Sequence, residues 1–391
     1  MNWWDILKRE LRQMFIKDPR RVLYLFGACA VYILLFGLLY STHVLSRVPL
    51  VIYDQDQTRL SRSLIQAFED SERYQIAAYV NSQEEMEEYL HTQKALTSIS
   101  IPPDFSRTIK TGHSSSILAA VNGTNLIIAN SVLSSVQEII LTFSNNTGGS
   151  LIEFTGQLPE QALHKVAPVT LELRILYNST LSYLDFFVLG LAMAALQQGI
   201  LLAVGASMIS EYQNIGELNN VPVWHVISGK FLPYWLCGTL SFIMALSLSA
   251  LAFNIPFKGS FISLLALGTV FSFTITAFAS VLGAICHNEV SFTQFSLAYA
   301  VPAFIFSGYT WPQHSMDAIS LAISYIFPLT YFADTIRDLM ISGHAPSLGK
   351  NILLLLSIGT VLLIISTLMY IYRRKHSSDL KQNNQLSPLK Q

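Results

Sequence analysis

Hydrophobic positions follow different rhythms in different stretches of this chain. Long uncharged runs recur at 22–41, 184–209, 231–255, 260–286, 290–309 and 351–372. A helix needs roughly 20 apolar residues to cross a bilayer, so these runs predict six transmembrane helices. Residues 1–21 carry a helical repeat instead: Trp3, Trp4, Leu7, Leu11 and Met14 or Phe15 share one face. Lys8, Arg9, Arg12, Lys17, Arg20 and Arg21 supply the basic face and flank. Tryptophan on one side and basic residues on the other predict a helix lying in the headgroup plane. The run 22–41 is too long for a signal peptide and no small-x-small cleavage site follows it, so it reads as a retained first span.

Residues 42–177 change rhythm. VPLVIYDQD, QIAAYV at 75–80, ALTSISI at 95–101 and SSILAAV at 115–121 are strand-like. Thr58–Asp70, Ser82–Thr92 and Asp104–Thr111 between them are helix-like, and Glu85 three residues after Ser82 suggests a capping box. A longer helix is expected over Asn125–Phe143, a loop over the Asn/Gly-rich 145–150, and a strand over 169–179 returning to the membrane. Strands alternating with helices predict a small α/β domain. Its expected core includes Val51, Ile52, Leu64, Phe68, Ile76, Ile99 and Ile101.

Composition sharpens this picture. Hydrophobic residues make up 51% of the chain and charged residues 13%, about half the usual globular share of charge, which marks an integral membrane protein. A formal charge of -1 gives no pull toward nucleic acid. Cys29, Cys237 and Cys286 all sit in apolar runs, which leaves no disulfide framework and no metal-ligand spacing. Six basic residues precede the first span, and Arg373, Arg374 and Lys375 follow the last. Positive charge collects on the cytoplasmic side, so both termini are expected inside, with the tail 373–391. The 42–177 domain is then extracytoplasmic.

Two polar interruptions stand out in the region 178–372. EYQNIGELNNVPVWHVISGK, 211–230, separates two long spans, and the orientation puts it inside. It is either a plain solvated loop or a short helix across the membrane face that takes force from a soluble partner. Glu211 and Glu217 are expected as exposed acids, with Leu218 as apolar contact and Pro222 at a helix end. The second interruption, 309–345, contains an apolar piece too short to span and broken by Pro328, which predicts a re-entrant hairpin. Arg337, the only Lys or Arg between Lys258 and Lys350, is expected to pair with a nearby carboxylate or a lipid headgroup.

The chain has no nucleotide-binding loop: Trp224 and His344 stand where the first glycine would precede Gly229-Lys230 and Gly349-Lys350. The spans carry almost no ionisable groups, whereas an ion-coupled carrier uses intramembrane carboxylates or histidines as its relay.

These stretches resemble the membrane subunit of ABC-2 type ABC transporters, in the subgroup with a large extracytoplasmic domain after the first span. The cytoplasmic stretch is matched at Glu211, Gly216, Glu217, Leu218, Pro222, Gly229 and Lys230. FSGYTWP…FPLTYFADTIRDL resembles the C-terminal signature at Ser307, Gly308, Pro312, Pro328, Thr330, Tyr331 and Arg337. VIYDQDQTRLSRSLIQAF and YNSTLSYLDFFVLGL resemble the entry to and exit from the outer domain. The resemblance implies an α-helical polytopic protein of six spans with an inserted α/β domain, in a bacterial inner membrane. It implies a transport subunit, not an enzyme, with no cofactor of its own and ATP bound by a separate ATPase subunit. It also implies a dimer of permeases, identical or paralogous, and leaves a periplasmic adaptor open. Drugs, lipids, polymers and ions are all open as cargo. The first stretch would be the ATPase-coupling element and the second a gating hairpin. A secondary transporter, and a membrane-anchored sensor or adhesion protein, are the rival readings.

Overall fold

The computed structural model describes residues 2–40, 46–111, 113–123, 126–153, 182–213 and 221–386, with backbone alone at 126–127, 148–153 and 376–386. The chain begins with α1 (Trp3–Arg12), followed by a π-turn at Gln13–Lys17. It breaks at Asp18-Pro19 and resumes as α2 (Arg20–Leu39). Proline cannot continue the first ladder, and its fixed φ suits the start of the next helix. The buried face of this N-terminal stretch is Ile6, Glu10 and Met14, at i, i+4 and i+8, while Trp4, Phe15 and Ile16 are exposed. This corrects the expected purely apolar face: an acid lies inside, because basic partners from other helices wait for it there.

Residues 42–181 and the remainder of the chain form two separate units. In the first, β1 (Val48–Asp54), β2 (Tyr74–Tyr79), β3 (Thr97–Ile101) and β4 (Leu118–Val121) form a sheet of order β2-β1-β3-β4. β1 runs parallel to β2 and β3, and β4 pairs antiparallel with β3. Parallel neighbours need crossovers, supplied by α3 (Arg59–Glu69) and α4 (Gln83–His91). β1 is an unbroken apolar run because both its faces are covered. Leu50 and Ile52 pack with Leu64, Phe68 and Phe105, the last from α5 (Phe105–Lys110), and Val51 packs with Val80, Met86 and Ala95. The Ser82 hydroxyl caps α4 by accepting from the Glu85 N–H at 3.1 Å, while the Glu85 carboxylate reaches the Asn81 N–H at 3.2 Å. α6 (Leu126–Glu153) runs through 145–150, which the sequence assigned to a loop. A helix already nucleated over several turns extends through poor formers at small cost per residue. The expected strand at 169–179 lies outside the described residues.

The other unit is helical. α2, α7 (Leu184–Gln213), α8 (Val223–Phe253), α9 (Phe261–Ile285) and α13 (Leu348–Leu386) are, among the described residues, five helices long and apolar enough to cross a membrane. α7 is the most enclosed of them and α13 the least. Between α9 and α13 lies α10 (Glu289–Ile305), with 17 residues. That is about 25 Å of rise, short of a hydrocarbon core of about 30 Å. α11 (Ala318–Ser324) and α12 (Pro328–Ile341) follow, bent by 89° at their break, and make a sixth candidate if taken as one span. The run 290–309 was expected to be helical throughout. It stops at Ile305 because Gly308 turns the chain into the left-handed region, φ 95°.

Candidate functional site

The described residues of 211–230 are mostly helical. α7 continues to Gln213 and α8 starts at Val223 with Pro222 as its cap, so the last eight residues of the expected loop are the first turns of α8. Gly216, Glu217 and Leu218 lie outside the described residues.

Glu211 is not the exposed acid expected from the sequence; it is 2% exposed. Continuation of α7 turns it inward, where its Oε2 lies 3.4 Å from Lys230 Nζ and 3.7 Å from Arg9 Nη2. Tyr370 Oη of α13 donates to its Oε1 at 3.3 Å. Lys230 is buried as well, and its ammonium lies 2.9 Å from Glu10 Oε2. The other Glu10 oxygen accepts from Arg21 Nη1 at 3.2 Å, from Tyr234 Oη at 2.9 Å and from the Ser207 hydroxyl. Arg21 completes its own set with Tyr234, Asp18 and the Ala206 carbonyl. Three acids (Glu10, Asp18, Glu211) and three bases (Arg9, Arg21, Lys230) therefore meet at the ends of α1, α2, α7 and α8.

Burial works against the charged form of Glu10. Lys230, the Ser207 hydroxyl and Arg21 outweigh it and hold the carboxyl below the usual carboxylate range. At Asp18 the hydrogen bond from Arg20 acts chiefly in the same direction and lowers it too. Sequence reading missed this cluster because its members lie 197 to 224 positions apart in their Glu10 contacts to α7 and α8. One signal was present: Glu10 stands among Lys8, Arg9 and Arg12 in an amphipathic stretch.

Two more expected residues have clear local tasks. A Cβ on Gly229 would come within 2.9 Å of Ile6 Cγ2, so glycine lets α1 lie against α8. Trp3 Nε1 then donates to the Ser228 hydroxyl at 2.9 Å. Pro222 is exposed and starts α8, and its carbonyl accepts from the His225 N–H at 3.0 Å.

The second group lies at the opposite end of this unit. Phe186 and Glu211, 25 positions apart on one helix, are separated by about 38 Å. Arg337 pairs with Asp334 at 2.7 Å, and its guanidinium lies 5.5 Å from the Phe186 ring centre and 5.4 Å from that of Tyr309. A Cβ on Gly308 would meet Asp334 Oδ1 at 2.9 Å, so Gly308 and the Arg337 pair share one site. The Ser307 hydroxyl donates to the Phe304 carbonyl at 2.7 Å and closes the end of α10. Pro328 opens α12, where the Thr330 hydroxyl donates back to the Ser324 carbonyl at 2.8 Å. Tyr331 Oη donates to the Tyr325 carbonyl at 2.9 Å. Pro312 is exposed and precedes a short 3-10 turn at Gln313–Ser315.

At the middle of α7, Gln197 is fully buried, and both its amide atoms lack a hydrogen-bond partner among the described residues. Its neighbour Gln198 donates to the Ser296 hydroxyl of α10 at 3.1 Å.

A bundle of membrane-length helices, with an ion-paired polar cluster at one end and a bent hairpin at the other, is the architecture of a polytopic membrane protein. The chain belongs to the family described as ABC-2 family transporter protein, which matches residues 20–368, and it is a transport permease of that family. It is similar to the probable multidrug ABC transporter permease YbhR of Escherichia coli K12, 23% identical over 355 residues, 89% of this chain and 92% of that protein. The probable multidrug ABC transporter permease YbhS of the same organism is 27% identical over 143 residues, 36% of each chain. The inner membrane transport permease YhhJ of Escherichia coli K12 is 23% identical over 337 residues, 83% of this chain and 86% of that one.

Proposed function

We propose that this permease exports its cargo at the expense of ATP bound and hydrolysed by a separate ATPase subunit that docks on the 211–230 segment. The working assembly is a dimer of permeases, identical or paralogous, with two ATPase chains in a bacterial inner membrane. Six spans leave both termini and the 211–230 segment cytoplasmic and the 42–177 domain outside, where a periplasmic adaptor could reach it. The chain carries no cofactor of its own. Relatives named as multidrug permeases and as an inner membrane permease support a drug-like cargo and this location.

One observation carries the reading: the 211–230 segment is rooted in the ion cluster formed by Glu10, Arg21, Glu211 and Lys230. A push on the segment therefore bears on α1, α2, α7 and α8 together. Buried ion pairs resist separation because a lone buried charge is costly, so these helices would move as one body.

Cargo export and ATP hydrolysis by the permease–ATPase complex in proteoliposomes test it. Glu217→Lys should abolish stimulation of the ATPase and export while insertion and dimerisation persist. Full export by Glu217→Lys combined with Pro222→Ala, at normal membrane level, would sink the coupling assignment. The rival, an ion-coupled carrier, requires cargo movement by the permease alone under a proton gradient.

A further inference from the structure

The last membrane helix touches both feet of the 214–220 segment. On the incoming side, Tyr370 Oη donates to Glu211 Oε1 at 3.3 Å, and the Arg373 guanidinium lies 4.9 Å from the Tyr212 ring centre. On the outgoing side, Arg374 Nη1 donates to the Val221 carbonyl at 2.8 Å. Residues three and four apart share a helix face, so positions 370, 373 and 374 address both feet from a single face of α13. Beneath them Tyr370 packs with Ile6, Val221, Val226 and Ile227 in an apolar cluster separate from the main core.

The same helix grips the hairpin at its other end. Asn351 Nδ2 donates to the Tyr331 carbonyl at 3.1 Å and to the Thr335 hydroxyl at 2.7 Å, both on α12. From Asn351 to Arg374 is about 35 Å of unbroken helix. Between these contacts the Thr274 hydroxyl of α9 donates to the Leu355 carbonyl at 2.8 Å. A continuous helix is stiff along its axis. Contacts at its two ends therefore tie the position of the segment's feet to the position of the bent hairpin.

We propose that α13 is a strut between the coupling segment and the hairpin, with Arg374 and Asn351 as its positioning residues. This rests on the coupling role given to 211–230 above. α7 and α8 carry force along the helices the segment joins, whereas α13 carries it to a remote element, the hairpin around Pro328 and Arg337. Loading of the segment by the ATPase is then felt at the hairpin without passing through the enclosed centre of the bundle.

Two measurements test the strut. In the full-length permease alone, spin labels at Gln213 and Trp224 should give a broader distance distribution in Arg374→Ala than in the parent, and Arg374→Lys, which keeps a donor for the Val221 carbonyl, should restore it. An unchanged distribution in Arg374→Ala overturns the clamp. In the permease–ATPase complex in nanodiscs, a fluorophore is placed at Ile319→Cys in a background with Cys29, Cys237 and Cys286 replaced by alanine. Nucleotide should change its emission in the parent. Arg374→Ala and Asn351→Leu should each cut that change by about fivefold or more, with ATPase association unchanged and with recovery in Arg374→Lys. A change that survives both substitutions, a parent without any change, or loss of ATPase association in Asn351→Leu overturns the proposal. Glu217→Lys is the separate control: an intact complex and intact signal in that variant would sink the coupling role itself, whatever α13 does.

Discussion

Glu10 and Lys230, 220 positions apart, form a buried ion pair of 2.9 Å that fastens the first helix of the chain to the helix leaving the 211–230 segment. Both side chains are almost wholly hidden from solvent. Breaking a buried pair typically costs about 3–5 kcal/mol; the cost here is at the low end, because Arg21 still faces Glu10 and Glu211 still faces Lys230. Lys230→Met should therefore lower the thermal stability of the purified permease sharply, and Glu10→Gln should do the same. The double variant should lose less than the sum, with an interaction energy of about 0.5–3 kcal/mol. Strict additivity would show that the pair contributes nothing as a pair.

Acid should loosen the same joint. Glu10 is held below the usual carboxylate range despite its burial. A carboxyl whose folded pKa is depressed stabilises the fold above its unfolded value of about 4.3, and that contribution is lost as pH falls through the folded value. Thermal unfolding followed across the acid range should show a destabilising limb below the ordinary glutamate pKa. Glu10→Gln should be less stable at neutral pH but flatten that limb. An unaltered limb in Glu10→Gln would assign the acid sensitivity to other groups.

Arg337→Leu should reduce transport while leaving ATPase association intact, because it strips Asp334 of its partner at the hairpin end, far from 211–230. Asp334→Asn in the same chain should recover part of the loss by removing the stranded charge. Gly308→Ala should impair the same site on its own, since its φ of 95° strains any Cβ and the nearest atom is Asp334 Oδ1. Export assays paired with pull-down of the ATPase separate these outcomes; loss of membrane insertion in Arg337→Leu would make its role one of assembly.

Gln197→Met should stabilise the permease in detergent. The substitution nearly conserves volume and removes a buried amide whose polar atoms both lack a partner among the described residues, a group that costs about 1–3 kcal/mol when left unsatisfied. Transport should fall in the same variant if that amide serves passing cargo. A lower melting temperature would mean that Gln197 is hydrogen-bonded by a group outside the described residues.

Single cysteines at Gln83 and Gln213, both on exposed positions, report the sidedness. A membrane-impermeant thiol reagent should label Gln83→Cys in intact cells and Gln213→Cys only after permeabilisation. Labelling of Gln213→Cys from outside would reverse the assignment of the coupling face.

The sequence by itself determined five apolar helices long enough to span, the alternation of strand and helix after the first of them, and the break at Pro328. Each depends on local periodicity or on a residue with a fixed backbone demand. The sixth expected span, 290–309, gives a helix of only 17 residues. Of the seven expected core residues, Val51, Ile52, Leu64, Phe68, Ile99 and Ile101 are buried and Ile76 is partly buried. The neighbouring acids and Arg337 were legible as a pair because they lie within one helical turn. Only the tertiary structure decided that Glu211 faces inward, that Glu10 is the centre of an ion cluster, and that Arg374 holds the Val221 carbonyl. A charged side chain on a helix near a membrane surface has no local signature of burial. Its direction is settled by which opposite charge another helix brings within reach, and those partners stand 11 to 220 positions away.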